Sequence, residues 1–275
     1  MNLLIKQSIP NFITLSNLFL GFTSMVLLSL SLSGEANHYI NTACYLILIS
    51  SVLDVFDGKV ARKLNISSEF GKEIDSLADL VSFCMVPSFL TFVYYKTMID
   101  SETLIKLPLL ILFSSFPLIF GAIRLAKYNT SQDMRESDNY LGLPTPANAI
   151  LICSLILFII NIEKVLEGPF ENMKIYKTFG SFLKLNEYNI LFITILNSIL
   201  LMSKVDYEKF PLISFKINRK NNLDLLRLII FLAILFISIY FKLYELVLVM
   251  FMILYIYGNL VKHFLLKLIN YKKEV

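Results

Sequence analysis

The sequence has no tryptophan, three cysteines and two histidines, and only 17% of its 275 residues are charged. Two histidines cannot build a histidine-based metal centre, so any bound metal must be held by oxygen ligands. Cys44, Cys84 and Cys153 lie inside apolar stretches, where a thiol behaves as a small hydrophobic side chain. The net charge of +4 comes from scattered Lys and Arg without a long basic run, which argues against nucleic acid as a partner.

Apolar residues, in contrast, make up 56% of the chain, and its mean hydropathy is +0.68. One soluble core would not bury that much hydrophobic surface, so a lipid bilayer must be part of the solvent. A helix needs roughly 20 apolar residues to cross the hydrocarbon layer, and such windows recur along the sequence. We predict six to eight spans, drawn as eight at residues 11–32, 39–60, 75–95, 107–126, 146–162, 188–202, 223–240 and 243–261.

The distribution of basic residues predicts how these spans are oriented. Of the 25 Lys and Arg residues, 18 fall on one side of the eight-span arrangement, together with both termini. Basic residues accumulate in cytoplasmic loops, so we expect a multi-pass protein of the cell membrane with cytoplasmic termini. We divide the chain into a core at residues 1–203 and a cytoplasmic linker with a helix pair at 204–275. Residues 1–9 would form a short interfacial helix or a frayed end.

Four carboxylates fall in or beside two consecutive spans, namely those of Asp54, Asp57, Asp75 and Asp79. Left uncompensated at mid-bilayer, four such groups would cost roughly 10 kcal/mol. Spacings of three and four residues place each pair on one helical face, and the short loop at 62–70 makes the two helices antiparallel neighbours. We therefore expect two acidic faces to meet across one helix hairpin.

Converging carboxylates without a matching cluster of Lys or Arg indicate bound divalent cations. Ligation by oxygen alone favours Mg²⁺, Mn²⁺ or Ca²⁺. Two such ions about 4 Å apart would suit an in-line displacement at phosphorus, because they offset charge on the attacking and leaving oxygens.

Eight spaced residues resemble the signature of the CDP-alcohol phosphotransferase family: Asp54-x-x-Asp57-Gly58-x-x-Ala61-Arg62, eight residues, then Gly71-x-x-x-Asp75-x-x-x-Asp79. The resemblance implies an all-α integral membrane protein with a six-helix core, here followed by two C-terminal helices. It also implies a homodimer, a polar cavity open to the cytoplasm and two divalent cations, Mg²⁺ or Mn²⁺.

The same resemblance assigns roles to these residues. Metal ligands would be Asp54, Asp57 and Asp75, with Asp79 completing the site and acting as the general base. The CDP part of the lipid would be seated by Asp57, Gly58, Ala61, Arg62 and Gly71. For the two glycines the alternative is close helix packing, and for Arg62 it is a side chain that extends to the cytoplasmic interface.

Two further stretches resemble the phosphatidylserine synthase branch of the family: Asp75 to Phe83, and Arg124-Leu-Ala-Lys127-Tyr128-Asn129 with Gly142-Leu-Pro-Thr-Pro-Ala. This implies transfer of a phosphatidyl group from CDP-diacylglycerol, or CDP-archaeol, to L-serine, with release of CMP. Arg124 would pair with the serine carboxylate or would serve only as a cytoplasmic anchor. Residues proposed to bind serine are Ser82, Arg124, Lys127 and Asn129.

Two alternatives differ from this interpretation in substrate or in class. The first keeps the chemistry but uses glycerol 3-phosphate, inositol phosphate or another alcohol as the acceptor. The second is a cation-coupled transporter that uses the four carboxylates as its cation site. A transporter of that kind would have a second, repeated half, and the sequence offers a single acidic hairpin.

Overall fold

The computed structural model describes residues 3–34, 36–63, 68–98, 107–131, 139–166, 188–208, 219–241 and 243–274. Helices α1 to α10 and strands β1 and β2 follow in chain order: α1 Leu3–Leu30, α2 Ala36–Lys63, α3 Glu69–Asp79, a π-helical turn at Leu80–Met85, α4 Val86–Met98, α5 Leu107–Ser114, α6 Phe116–Thr130, β1 Tyr140–Leu141, α7 Thr145–Leu166, α8 Asn189–Leu201, β2 Asp206–Tyr207, α9 Arg219–Tyr240 and α10 Tyr244–Glu274.

Six of the described segments are long and apolar enough to cross a membrane: Ser8–Leu30, Ala36–Val60, Glu69–Thr97, Leu107–Thr130, Thr145–Ile162 and Tyr244–Ile269. Two shorter apolar helices, Asn189–Leu201 and Leu225–Tyr240, match the remaining predicted spans. The prediction of an all-α, multi-pass membrane protein is therefore confirmed. Helix α1 already begins at Leu3 and continues without a break to Leu30, so the interfacial position of residues 1–9 stays a prediction.

Helices α1 and α2 form an antiparallel pair whose inward face is polar or small. Thr14, Asn17, Gly21 and Ser24 are spaced by three and four residues, and all four are buried. The phenylalanines Phe12, Phe19 and Phe22 of α1 are exposed and point outward. Lipid is as apolar as a leucine side chain, so a membrane helix associates through small and polar residues. The buried stripe of α1 fits that rule.

The π-helical turn at Leu80–Met85 lies between two glycines of neighbouring helices. A Cβ atom on Gly21 of α1 would come within 2.4 Å of the Ser82 Oγ, and one on Gly121 of α6 within 2.4 Å of the Cys84 Sγ. Both glycines are therefore required for close packing around this turn. No role was predicted for either glycine from the sequence.

Strands β1 and β2 form a two-stranded antiparallel ribbon in which Tyr140 pairs with Tyr207. The Gly142 N–H donates to the Val205 carbonyl at 2.8 Å and extends this ribbon toward α7. No strand was predicted there, because two-residue strands 66 positions apart carry no periodic pattern.

Gly142→Ala should destabilise the protein. Gly142 has a φ of 75°, and an added Cβ would lie 2.5 Å from the Leu201 carbonyl oxygen, a backbone atom that cannot rotate away. Left-handed backbone alone costs a residue with a Cβ roughly 1–2 kcal/mol, and the clash adds to that cost. We expect a melting temperature several degrees below that of the wild type in detergent. Gly258→Ala is the matched control, because nothing lies within 4 Å of its added Cβ, and it should melt no lower than the wild type.

Helix α10 packs against α7, β2 and α9. At the end of the bundle far from the ribbon, the Asn161 side chain of α7 donates to the Glu245 carboxylate of α10 at 2.9 Å. Nearby, the hydroxyl of Tyr244 at the start of α10 shares a hydrogen bond of 2.6 Å with that of Tyr45 on α2. The last helix is thus fixed to the bundle at its N-terminal end and, further along, to β2. The domain boundary placed between residues 203 and 204 stays a prediction.

Candidate active site

The four predicted carboxylates lie where the C-terminal part of α2 packs beside α3, Asp79 being the last residue of α3. Ser68 caps α3 by accepting a hydrogen bond of 3.0 Å from the Gly71 N–H through its hydroxyl. Such a cap satisfies a backbone donor that the first turn of a helix leaves without an intrahelical partner. It fixes where α3 begins, and so sets the register of Asp75 and Asp79 on their helical face.

Three of these carboxylates converge as predicted. Asp54, Asp57 and Asp75 each offer one oxygen, and these oxygens all lie within 4.8 Å of one another. Asp57 is buried, while Asp54 and Asp75 are partly exposed. The two acidic helical faces therefore do meet across the α2–α3 hairpin.

Asp79 lies one helical turn beyond Asp75 and completes the acidic group. Its side chain interacts with those of Asp54 and Asp75. The Oδ1 atoms of Asp75 and Asp79 are both buried, and no hydrogen-bond partner reaches either atom from the described residues. A buried carboxylate oxygen without a partner is costly, which indicates that something else occupies this position in the working protein.

Helix α1 contributes two residues to the site, Thr14 and Asn11. No role was predicted for either of them from the sequence. The Thr14 hydroxyl lies 2.9 Å from Asp57 Oδ2 and donates to it, which orients that carboxylate. A Cβ on Gly71 would lie 3.3 Å from Asn11 Oδ1, so the start of α1 also lies over the start of α3. The buried polar stripe that begins at Thr14 was the available signal.

Arg124 of α6 is the buried cation nearest to the chemistry in the described part of the chain. Its side chain is 6% exposed, and it interacts electrostatically with Asp79. Its Nε has no hydrogen-bond partner among the residues that the structure describes. A cytoplasmic anchor would extend its charged end into water, so the burial of Arg124 favours the ligand-binding alternative.

The other residues proposed to bind serine have different surroundings. Asn129 is partly buried and donates to the Ser76 hydroxyl of α3 at 2.9 Å, while Lys127 is exposed on α6. Ser82 is fully buried and donates to the Asn17 carbonyl at 3.0 Å, which gives it a packing role between α1 and the π-helical turn.

The structure describes only some of the residues proposed to seat the CDP group. Gly58 is partly exposed and lies on α2 directly after Asp57. Ala61 and Arg62 belong to the last turn of α2, and their side chains lie outside the described residues.

The donor set fits a hard divalent cation. Three carboxylate oxygens within reach of one another, with further buried oxygens of Asp75 and Asp79 beside them, match the all-oxygen ligation of Mg²⁺ or Mn²⁺. Among the described residues no cysteine or histidine belongs to this group, and the Cys84 thiol packs against Gly121.

A sequence profile described as CDP-alcohol phosphatidyltransferase matches residues 7–180, which include the whole acidic hairpin and Arg124. The chain belongs to the CDP-alcohol phosphatidyltransferase family. The match confirms the resemblance that was drawn from the eight spaced residues.

Curated relatives in this family have related names. The chain is 34% identical over 83% of its length to a CDP-diacylglycerol–serine O-phosphatidyltransferase from Helicobacter pylori, of which the match covers 81%. It is 36% identical over half its length to the Bacillus subtilis protein of the same name, with 69% of that protein covered. An archaetidylserine synthase from Methanothermobacter thermautotrophicus is 31% identical over 54% of this chain and 58% of its own.

Proposed function

We propose that the protein transfers a phosphatidyl group from CDP-diacylglycerol, or from the corresponding archaeol lipid, to the hydroxyl of L-serine. The observation that carries the proposal is the convergence of Asp54, Asp57 and Asp75 beside the buried Oδ1 of Asp79 and a buried Arg124. The relatives named above act on serine by their printed names, which supports serine as the acceptor.

The donor lipid would be held at the acidic hairpin. We assign Asp54, Asp57, Asp75 and Asp79 to a pair of Mg²⁺ or Mn²⁺ ions, and Gly58, Ala61, Arg62 and Gly71 to the CDP group. When bound, the ions offset negative charge on the pyrophosphate and on the departing CMP. Without them the carboxylates would repel a pyrophosphate. Thr14 holds Asp57 in the orientation that the site needs.

Asp79 is the base in this proposal. The serine hydroxyl oxygen attacks the β-phosphorus, its proton passes to Asp79, and the bond from that phosphorus to the oxygen of CMP breaks. One P–O bond forms and one breaks, so no oxidant, reductant or covalent enzyme intermediate is needed. A positioned general base contributes about 10²- to 10⁴-fold to the rate. The proximity of the bound hydroxyl to the β-phosphate supplies a further part of the rate enhancement.

Arg124 would bind the carboxylate of serine. A guanidinium pairs with a carboxylate through two parallel hydrogen bonds, and the burial of Arg124 strengthens such a pair. Glycerol 3-phosphate and inositol phosphate lack a carboxylate and carry a phosphate instead. Asn129 and Lys127 lie on the following turn of α6 and would line the outer part of the acceptor pocket.

The basic-residue distribution supports a cytoplasmic site. The hairpin, the ribbon and the C-terminal end of α10 lie at the same end of the bundle as the N-terminal part of α1, which is the end richer in Lys and Arg. Both termini would then be cytoplasmic. The homodimer stays a prediction from the family resemblance, and crosslinking in native membranes tests it as a doubling of mass.

Release of CMP by the purified protein tests the function. The reaction contains CDP-diacylglycerol and Mn²⁺, and separate tubes receive L-serine, glycerol 3-phosphate or inositol phosphate. We expect CMP release only in the tube that receives L-serine. Release with another acceptor would keep the chemistry and replace the substrate. If folded protein releases no CMP in any tube, the result contradicts the proposal and favours cation transport.

A further inference from the structure

Helix α10 lies beyond residue 180, where the family profile ends, yet polar contacts connect it to the β1–β2 ribbon. The Tyr255 hydroxyl donates to the Glu208 carbonyl at 2.9 Å, and its ring packs against that of Tyr207 at a centroid distance of 6.1 Å. About two helical turns further on, Lys262 pairs with the Glu208 carboxylate, and His263 Nδ1 lies 3.4 Å from Asp206 Oδ2. Several side chains of α10 therefore hold β2.

The ribbon carries this attachment to the neighbourhood of Arg124. Tyr140 pairs with Tyr207 across the two strands, and the Tyr140 side chain interacts electrostatically with Arg124. Tyr255 interacts with Tyr140 and with Arg124 in the same way. Tyr140 of the ribbon and Tyr255 of α10 therefore both lie near the Arg124 side chain.

Three buried polar atoms have no hydrogen-bond partner among the residues described: Arg124 Nε, Thr145 Oγ1 and, on the side of α10 that carries Tyr257, Tyr207 OH. Tyr207 is fully buried, and burial raises the pKa of its hydroxyl, so it stays a neutral donor at physiological pH. Thr145 begins α7 directly after the ribbon, and its methyl group would lie 3.7 Å from a Cβ on Gly121, one turn before Arg124. Buried donors left in this state are costly unless a polar ligand reaches them.

We propose that α10 and the β1–β2 ribbon complete the acceptor pocket, with Tyr255 as a positioning residue that holds the ribbon against Arg124. The ligand is a small zwitterion with a carboxylate, for which Arg124 supplies the charge and Thr145, next to the ribbon, supplies a hydroxyl donor. The inference rests on the proposed function, because it assigns a wall to the acceptor pocket of that reaction. Helix α10 would then contribute to the affinity for the acceptor but not to the cleavage of the donor lipid.

Tyr255→Phe tests this role, because it keeps the ring and removes the hydroxyl that holds Glu208. A single hydrogen bond contributes about 0.5–1.5 kcal/mol, which corresponds to roughly a 2- to 12-fold change. We expect the KM for L-serine to rise by a factor in that range, while kcat and the KM for CDP-diacylglycerol stay within about twofold of wild type. A purely structural role would lower the amount of folded protein and leave the serine KM unchanged.

Tyr244→Phe is the matched control on the same helix. It removes the hydroxyl bonded to Tyr45, far from the ribbon, and should leave the serine KM at the wild-type value. If Tyr255→Phe does not fold, His263→Ala takes its place with the same expectation. An unchanged serine KM in the folded variant, or an equal rise in Tyr244→Phe, overturns the inference. If the wild type uses a different acceptor, the serine proposal fails separately, and the KM comparison is made with that acceptor.

Discussion

Asp79→Asn should lower the turnover of phosphatidyl transfer by about 10³-fold or more. The substitution keeps the size of the side chain but removes the base that would accept the proton of the serine hydroxyl, and a positioned general base is worth about 10²- to 10⁴-fold. It also removes one negative charge from the acidic group that would hold the cations. The measurement is CMP release at saturating L-serine and CDP-diacylglycerol.

Glu73→Gln is the matched control for this loss. Glu73 lies on the same helix, two residues before Asp75, but its side chain is exposed, and it lies outside the cluster of converging carboxylates. The turnover of the Glu73→Gln variant should equal that of the wild type. If Asp79→Asn instead turns over within about tenfold of wild type, Asp79 is not the base.

The second large effect concerns metal binding and does not depend on turnover. Asp57→Asn and Asp75→Asn each remove a carboxylate from the three whose oxygens lie within 4.8 Å of one another. Losing only a hydrogen-bond partner of a ligand typically costs 10- to 100-fold in metal affinity, so losing the ligand should cost at least about as much. The free Mn²⁺ signal in electron paramagnetic resonance reports binding by the purified protein directly.

Glu73→Gln again serves as the control and should bind Mn²⁺ as tightly as the wild type. Mn²⁺ affinity that is unchanged in both Asp variants would place the metal elsewhere and would remove the physical reason for four carboxylates inside the membrane. Reduced Mn²⁺ binding in Glu73→Gln as well would indicate a general electrostatic effect of the hairpin rather than ligation.

The sequence predicted the spans and the acidic site because both leave a periodic signal. Apolar windows about as long as the bilayer is thick mark the helices, and the spacing of Asp54, Asp57, Asp75 and Asp79 places them on facing helical sides. The convergence of carboxylates follows from helix geometry and a short loop. No knowledge of side-chain positions was needed for it.

Other parts of the site could not be predicted in that way. Gly21 and Gly121 pack against the π-helical turn, but a lone glycine in an apolar helix does not reveal what lies opposite. The pairing of Tyr140 with Tyr207 joins positions far apart in the sequence and depends on how α7 and α8 pack between them. The contact of Tyr255 with Glu208 depends on that arrangement in turn. Tertiary packing, rather than local pattern, decides these contacts.

The most direct test of the account follows the oxygen of the serine hydroxyl. L-serine labelled with ¹⁸O in its hydroxyl is incubated with the purified protein, CDP-diacylglycerol and Mn²⁺, and the lipid product is analysed by mass spectrometry. Direct attack by the serine hydroxyl predicts phosphatidylserine that keeps the label in the bond between serine and phosphorus, with unlabelled CMP. Phosphatidylserine without the label, or no phosphatidylserine at all from folded protein, would contradict the account.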